Sequence, residues 1–324
     1  MHEVSQADAV RALSIAVATI GDSESQRRLR KLFEDLAARD RYKKHRLVSA
    51  DEAEVVLFVD LHEHPEDVYS RKLFAHPIAR ATPDRVRVLD VRDRPQFTFP
   101  GIYSSWTSGR RGSNMVAGGS YPVLPTESTN MHTSPDLLYS FLGSRTHPLR
   151  RAVLDIGDAN AVIEDTTKEA ASDWGLYGDA RRHRFIEVLG RSKFVLCPRG
   201  HGPSTYRIYE ALCAGRVPVI ISDRWLPPPG IDWHACSIRI RESNIQSIPK
   251  VLAEAEPRWE RMSLDAKAAW DTYFAKEARW NHWADTLSVV RGGRLPLPAA
   301  QYEVLRNRYV RGRRLLTRRG VSQS

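Results

Sequence analysis

Between Pro198 and Glu210 the chain collects the groups that would hold an anion: Arg199, Gly200, His201, Ser204, Thr205, Arg207 and Glu210. Two glycines and two prolines in 198–203 stop helix and strand alike, so this segment is a loop. Ser204 is expected to cap a helix running to about Ala214, and Gly215 suits the left-handed position past its end. Such a loop hands its backbone N–H groups to a helix start, where unpaired donors and the macrodipole both favour negative charge. Ser204 and Thr205 add hydroxyl donors, and Arg207 adds a planar fork matched to phosphate oxygens. Arg207 and Glu210 stand three apart on one helix face. A cation at the helix start with a carboxylate one turn on would suit a diphosphate followed by the vicinal hydroxyls of a ribose. Arg199, Gly200 and His201 lie in the loop, within reach of the same phosphates. An Arg and a Glu at this spacing also form ordinary solvated pairs of about 0.2–0.5 kcal/mol. No Gly-Lys-Ser/Thr follows, so the loop is not a P-loop.

The elements around this segment are those of an α/β chain. Phe194–Cys197 and Val217–Ile221 read as buried strands flanking the short helix, which implies parallel pairing and a right-handed crossover. Upstream, strands are expected at Leu13–Ile20, Glu54–Asp60 and Arg85–Asp90, with helices at Ser23–Arg39 and Pro65–Ala75. Between residues 95 and 135 no period survives. Tyr103, Trp106 and Tyr121 in that stretch either stack on sugar faces or pin the loop, and the sequence leaves both open. A strand at Leu137–Leu142 opens a second unit with a helix at 149–156, a strand at 161–164 and a helix at 179–189. Ser237–Ile240 is a late strand, and 244–290 is largely helical, with Trp270, Phe274, Trp280 and Trp283 packing helices together. Three segments follow: 1–134, 135–290 and a basic tail, 291–324.

The whole string from Cys197, C-P-R-G-x-G-P-S-x-x-R-x-x-E-A-L-x-A-G-x-V-P-V-I-I-S-D, then L-P and D-W, closely resembles the signature of exostosin-like glycosyltransferases. F-V-D-L-H at Phe58–His62, F-P-G-I-Y at Phe99–Tyr103 and F-L-G-S-R-T-H-P-L-R at Phe141–Arg150 extend the resemblance over roughly residues 54–235. It implies the GT-B arrangement, two facing Rossmann-like domains with the nucleotide in the C-terminal one and closing helices, such as 299–309, that cross back. It also implies transfer of a sugar from a nucleotide donor, UDP-linked first and GDP-linked second, to a glycan or glycolipid with inversion. Arg207 would contact the diphosphate and Glu210 the ribose.

Inverting transfer needs a base for the acceptor hydroxyl, and ligands sit beyond strand carboxyl ends. Asp60, His62, Glu63 and His64 follow one strand, and Asp90 and Asp93 follow the next. Asp60 and His62 are the first choices, unless they only cap turns. No D-x-D triplet occurs in the sequence, so no metal or other cofactor is expected in the chemistry beyond the nucleotide-sugar cosubstrate. A rival reading takes Asp60, His62 and His64 as the strand-end ligands of a zinc amidohydrolase.

At 324 residues, 42% hydrophobic, the chain can build two cores. Three cysteines without framework spacing suit reduced thiols. The apolar run Leu13–Ile20 is too short to span a bilayer, and the expected setting is cytoplasmic, at most peripheral to the inner membrane. A net charge of +10 is concentrated in the tail, where 306–319 holds seven arginines and no acid. That tail suits an anionic membrane surface, at about 1 kcal/mol per residue, or simple solvation. Nucleic acid is the less favoured partner, and a noncatalytic binding protein is the other alternative.

Overall fold

Apolar runs without a polar alternation form strands buried on both faces, as parallel sheets require. The computed structural model describes residues 11–60, 63–95, 97–108, 115–123, 134–170 and 179–290. Its first sheet contains β1 (Ser14–Ala18), β2 (Arg46–Leu47), β3 (Val55–Asp60), β4 (Val86–Asp90), β5 (Gly101–Tyr103) and β6 (Val116–Gly118). Its second contains β7 (Leu137–Gly143), β8 (Ala161–Asp165), β9 (Ser192–Pro198), β10 (Val217–Ile221) and β11 (Ile238–Arg239). The orders are β2-β1-β3-β4-β5-β6 and β11-β10-β9-β7-β8, and every pair is parallel. Each sheet therefore reverses its winding between its first and third strands. In the second sheet that switch falls between β7 and β9, beyond whose carboxyl ends an open α/β sheet leaves a crevice. The chain has two α/β units, each built on an open parallel sheet with the doubly wound strand order of a Rossmann-like domain.

Local chemistry sets most boundaries. Ser23 and Gln26 form a reciprocal capping box at the start of the Glu24–Arg39 helix, whose Leu29, Phe33 and Leu36 are buried at helical spacing. Gly215 has φ +62°, the left-handed backbone expected just past a helix end. At the start of the Tyr206–Cys213 helix the cap position belongs to Thr205 rather than Ser204, and the Thr205 side chain makes no capping hydrogen bond.

The aperiodic stretch 95–135 holds two further strands, β5 and β6, each three residues long, too short for a period to register. A Cβ on Gly101 would sit 2.7 Å from the Val88 backbone nitrogen and closer still to the Val88 carbonyl oxygen. Gly101→Ala is expected to cost about 1–3 kcal/mol through overpacking at the β4–β5 pairing, read from the urea midpoint at unchanged slope. Tyr103 and Trp106 are core residues, with ring centroids 5.0 Å apart, and the Tyr103 hydroxyl donates to the Phe99 carbonyl at 2.8 Å. They pin this segment, and no sugar can reach them.

The last helix among the described residues, Arg279–Val289, returns to the first domain. Trp283 stacks on Phe33 with centroids 5.2 Å apart. Asp285 Oδ1 accepts from Lys44 Nζ at 2.8 Å and lies 2.9 Å from His45 Nε2. Because His45 Nδ1 accepts the Leu13 N–H at 3.1 Å, the neutral ring must carry its proton on Nε2 and donate it to Asp285. A crossing back is made by this helix, whereas 299–309 lies outside the described residues, as does the basic tail. Trp270, Phe274, Trp280 and Trp283 are all buried, as their spacing predicted. No helix among the described residues is long and apolar enough to cross a membrane. None of the three cysteines forms a disulfide.

Candidate functional site

The loop after β9, residues 199–205, and the loop after β7 meet at the switch point of the second sheet. Arg150, from the Pro148–Leu154 helix, fastens them together. Its Nε donates to the Pro198 carbonyl at 3.3 Å and the Arg199 carbonyl at 3.2 Å, and its Nη1 reaches the Ser144 carbonyl at 3.5 Å. A Cβ on Gly200 would stand 3.3 Å from Arg150 Nη2 and 3.5 Å from Thr146 Oγ1, so a larger residue would crowd both. Sequence reasoning gave Arg150 no role, because nothing in its own spacing reveals that two distant loops close on it.

Arg207 lies across the end of β7. Its Nη2 donates to the Leu142 carbonyl, and its guanidinium sits 5.2 Å from the Phe141 ring centroid and 5.7 Å from that of Phe185. Gly143 leaves room for it, since a Cβ there would be 3.1 Å from Arg207 Nη2. Two aromatic rings and a carbonyl hold the fork at the crevice, half-buried. Glu210 differs from expectation. It is 2% exposed, interior rather than displayed at the surface beside half-buried Arg207. Three-residue spacing permits a shared face, but the tight packing of this helix on β9 and β10 decided which part of that face is interior. Arg207, Glu210 and Arg150 all act on the Cys197 thiol at the end of β9, although burial foremost raises its pKa far above the usual range. Ser204 and Thr205 are buried at the helix start. Arg199 is half-buried, 3.9 Å from Glu242 Oε1, and its Nη2 donates to the His201 carbonyl at 3.4 Å. His201 is exposed. Nearby, His147 caps its helix by accepting the Leu149 N–H at 3.2 Å. Burial, then Arg199, hold its pKa down and its ring neutral.

The first domain supplies the opposite wall. Asp60 ends β3, yet it is 1% exposed and accepts from Arg92 Nη2. Arg92 also approaches Asp90 Oδ2 at 3.2 Å, its backbone N–H donates to Asp90 Oδ1 at 2.9 Å, and its guanidinium covers Tyr69 at 4.1 Å. Burial pushes the Asp60 carboxyl up while Arg92 pulls it back. The expected base is therefore, among the described residues, the buried partner of an arginine. His62 lies outside the described residues. Asp60, Glu63 and His64 do offer ligand atoms within 4.8 Å of one another. Arg92 occupies one oxygen of Asp60, and Lys72 Nζ lies 2.7 Å from His64 Nε2, so two cationic side chains already crowd that cluster.

The two walls touch. A Cβ on Gly202 would meet the Asp93 carbonyl and Ser105 Oγ, each at 2.7 Å. Tyr121 stacks on Tyr206 at 3.8 Å between centroids, and the Tyr209 hydroxyl donates to the Gly119 carbonyl at 2.9 Å. Thr107 forms an antiparallel bridge with Trp225, and Ser108 N–H donates to the Arg224 carbonyl at 2.9 Å. Tyr206, at the start of the Tyr206–Cys213 helix, is 40% exposed at this junction. Of the three aromatics weighed for sugar stacking, only Tyr121 reaches it.

Residues 125–255 match the family model of the Exostosin GT47 domain. Among curated relatives, "Exostosin-1 homolog" of Caenorhabditis elegans is 32% identical over 144 residues, 41% of this chain and 37% of that protein. "Exostosin-1a" of Danio rerio is 31% identical over 146 residues, 41% of this chain and 20% of the other. The matches thus span well under half of these relatives. Among solved structures, that of WaaG, a glycosyltransferase involved in lipopolysaccharide biosynthesis, aligns with a TM-score of 0.39 at 10% identity, over 86% of this chain and 99% of that one. The exostosin-like character read from the motif string stands, and the matched segment contains every residue of the β7/β9 crevice described above.

Proposed function

We infer that this chain is an inverting glycosyltransferase that binds its nucleotide-sugar donor at the β7/β9 crevice and its acceptor against the first domain. The observation that carries this reading is the placement of Arg207. The motif's arginine lies at the switch point of the second sheet, beside a helix start whose cap side chain makes no hydrogen bond to it. As the bond from the anomeric carbon to the diphosphate breaks, its electron pair goes to the phosphate oxygen. Arg207 and the helix N–H groups stabilise that charge. Arg199 and His201 edge the same loop. The pyrimidine donor UDP-sugar is preferred over a GDP-sugar, a glycan or glycolipid is the acceptor, and no metal or further cofactor is required. Glu210 holds the ribose only if the crevice opens by the motion of a side chain or loop, because in this state it is interior. The arginines of 306–319 would hold the enzyme at an anionic, cytoplasmic membrane face.

A panel of UDP- and GDP-linked sugars, scored by release of free nucleoside diphosphate with and without candidate acceptors, tests the reading. Turnover of one donor class is expected, together with calorimetric binding of its nucleoside diphosphate. Glu210→Gln is expected to weaken that binding at least tenfold if the carboxylate grips the ribose. Wild-type protein that neither binds UDP or GDP nor releases them from any donor would sink the reading.

A further inference from the structure

We propose that Asp93, not Asp60, removes the proton from the acceptor hydroxyl. This rests on the glycosyltransferase reading above and names the base within it. Four carboxylates that follow β3 and β4 on the first domain's wall compete for the role: Asp60, Glu63, Asp90 and Asp93. Glu63 is gathered with Asp60 and His64, their ligand atoms within 4.8 Å of one another. Asp60 and Asp90 both face Arg92, which is itself buried, and neutralise it. Asp93 is exposed. The turn that presents it is fixed from behind, because the Asp90 carboxylate holds the Arg92 N–H and the Arg92 side chain is drawn into the domain. The residue that follows is left at the surface, at the carboxyl end of β4.

That surface is the cleft. The Asp93 main chain lies against Gly202, its carbonyl oxygen 2.7 Å and its Cα 3.0 Å from where a Cβ on Gly202 would be. Gly202 belongs to the loop that carries the donor-side groups Arg199, His201, Ser204 and Thr205. Asp93 is therefore an exposed first-domain acid whose main chain abuts the donor loop, with Tyr121 close enough to feel its charge. A carboxylate on the wall opposite Arg207 suits an inverting displacement, in which attack and departure occupy opposite sides of the anomeric carbon. The acceptor O–H bond gives its proton to an Asp93 oxygen, and the acceptor oxygen's electron pair forms the new bond to carbon. The old carbon–oxygen bond leaves with its pair on the diphosphate, so atoms and charge balance.

Asp93→Asn and Asp93→Ala should be compared with wild type in two measurements: calorimetric binding of UDP and GDP, and turnover of whichever donor the panel identifies. A base contributes typically 10²–10⁴-fold. The expected result is a fall in turnover of at least 100-fold in both variants, with nucleotide affinity within threefold of wild type. Added formate should restore part of the turnover in Asp93→Ala but not in Asp60→Ala, since only a gap at the cleft admits it. Turnover within threefold of wild type in either variant, or a parallel collapse of nucleotide affinity, overturns the assignment while leaving the donor site standing. Wild-type protein that binds neither nucleotide overturns both.

Discussion

Arg207→Ala should lower sugar transfer by about 10²–10³-fold, the effect of removing one fixed donor aimed at developing charge. The loss should fall on turnover more than on donor affinity, because a fork at the leaving diphosphate grips it most strongly as the charge builds. Arg207→Lys should not restore it, since an ammonium lacks the planar pair of donors and cannot lie between Phe141 and Phe185 as a flat guanidinium does. Some stability will be lost too: the bond to the Leu142 carbonyl is worth about 1 kcal/mol. The two effects separate cleanly in nucleoside diphosphate release and in thermal unfolding of the same variants. A variant that turns over normally would remove the crevice as the donor site.

Arg92→Met should be strongly destabilising, about 3–5 kcal/mol out of a total of about 5–15 kcal/mol for a domain. The guanidinium is buried between Asp60 and Asp90, and taking it away leaves two carboxylates close together with no counter-charge. Burial opposes the charge of Arg92 itself, but Asp90 and Asp60 outweigh that and hold its pKa above the usual arginine value. The sign with pH is diagnostic. Burial already raises the Asp60 pKa in the wild type, and losing Arg92 raises it further. The folded variant then takes up a proton where the unfolded chain does not, so its stability climbs as pH falls through the raised pKa and drops again on the alkaline side. Adding Asp60→Asn to Arg92→Met should recover a large part of the loss, and a urea double-mutant cycle measures that coupling. Additive losses would mean that the ion pair is not what holds this wall together.

Much of this was written in the chain. The apolar runs at 14–18, 55–60, 194–197 and 217–221 are long enough to report buried parallel strands. The Ser23–Gln26 capping pair and the Gly215 turn fix helix ends by local chemistry that no tertiary contact needs to supply. The loop at 198–205 and Arg207 were legible because their residue types do one thing together. What the sequence could not carry were the facts that depend on which surfaces meet. β5 and β6 were invisible because three residues cannot show a period, and they exist only by pairing, β5 with β4 and β6 with β5. Arg150 became a clasp only when loops 144–146 and 198–200 converged on it. Glu210 shares a turn with Arg207, but dense packing of the helix on its sheet sent the carboxylate inward. Asp60 stands where a base should, at a strand end, and Arg92, 32 residues away, closed it off. Local spacing sets what a residue can face, whereas burial and charge pairing, which are non-local, choose among the options.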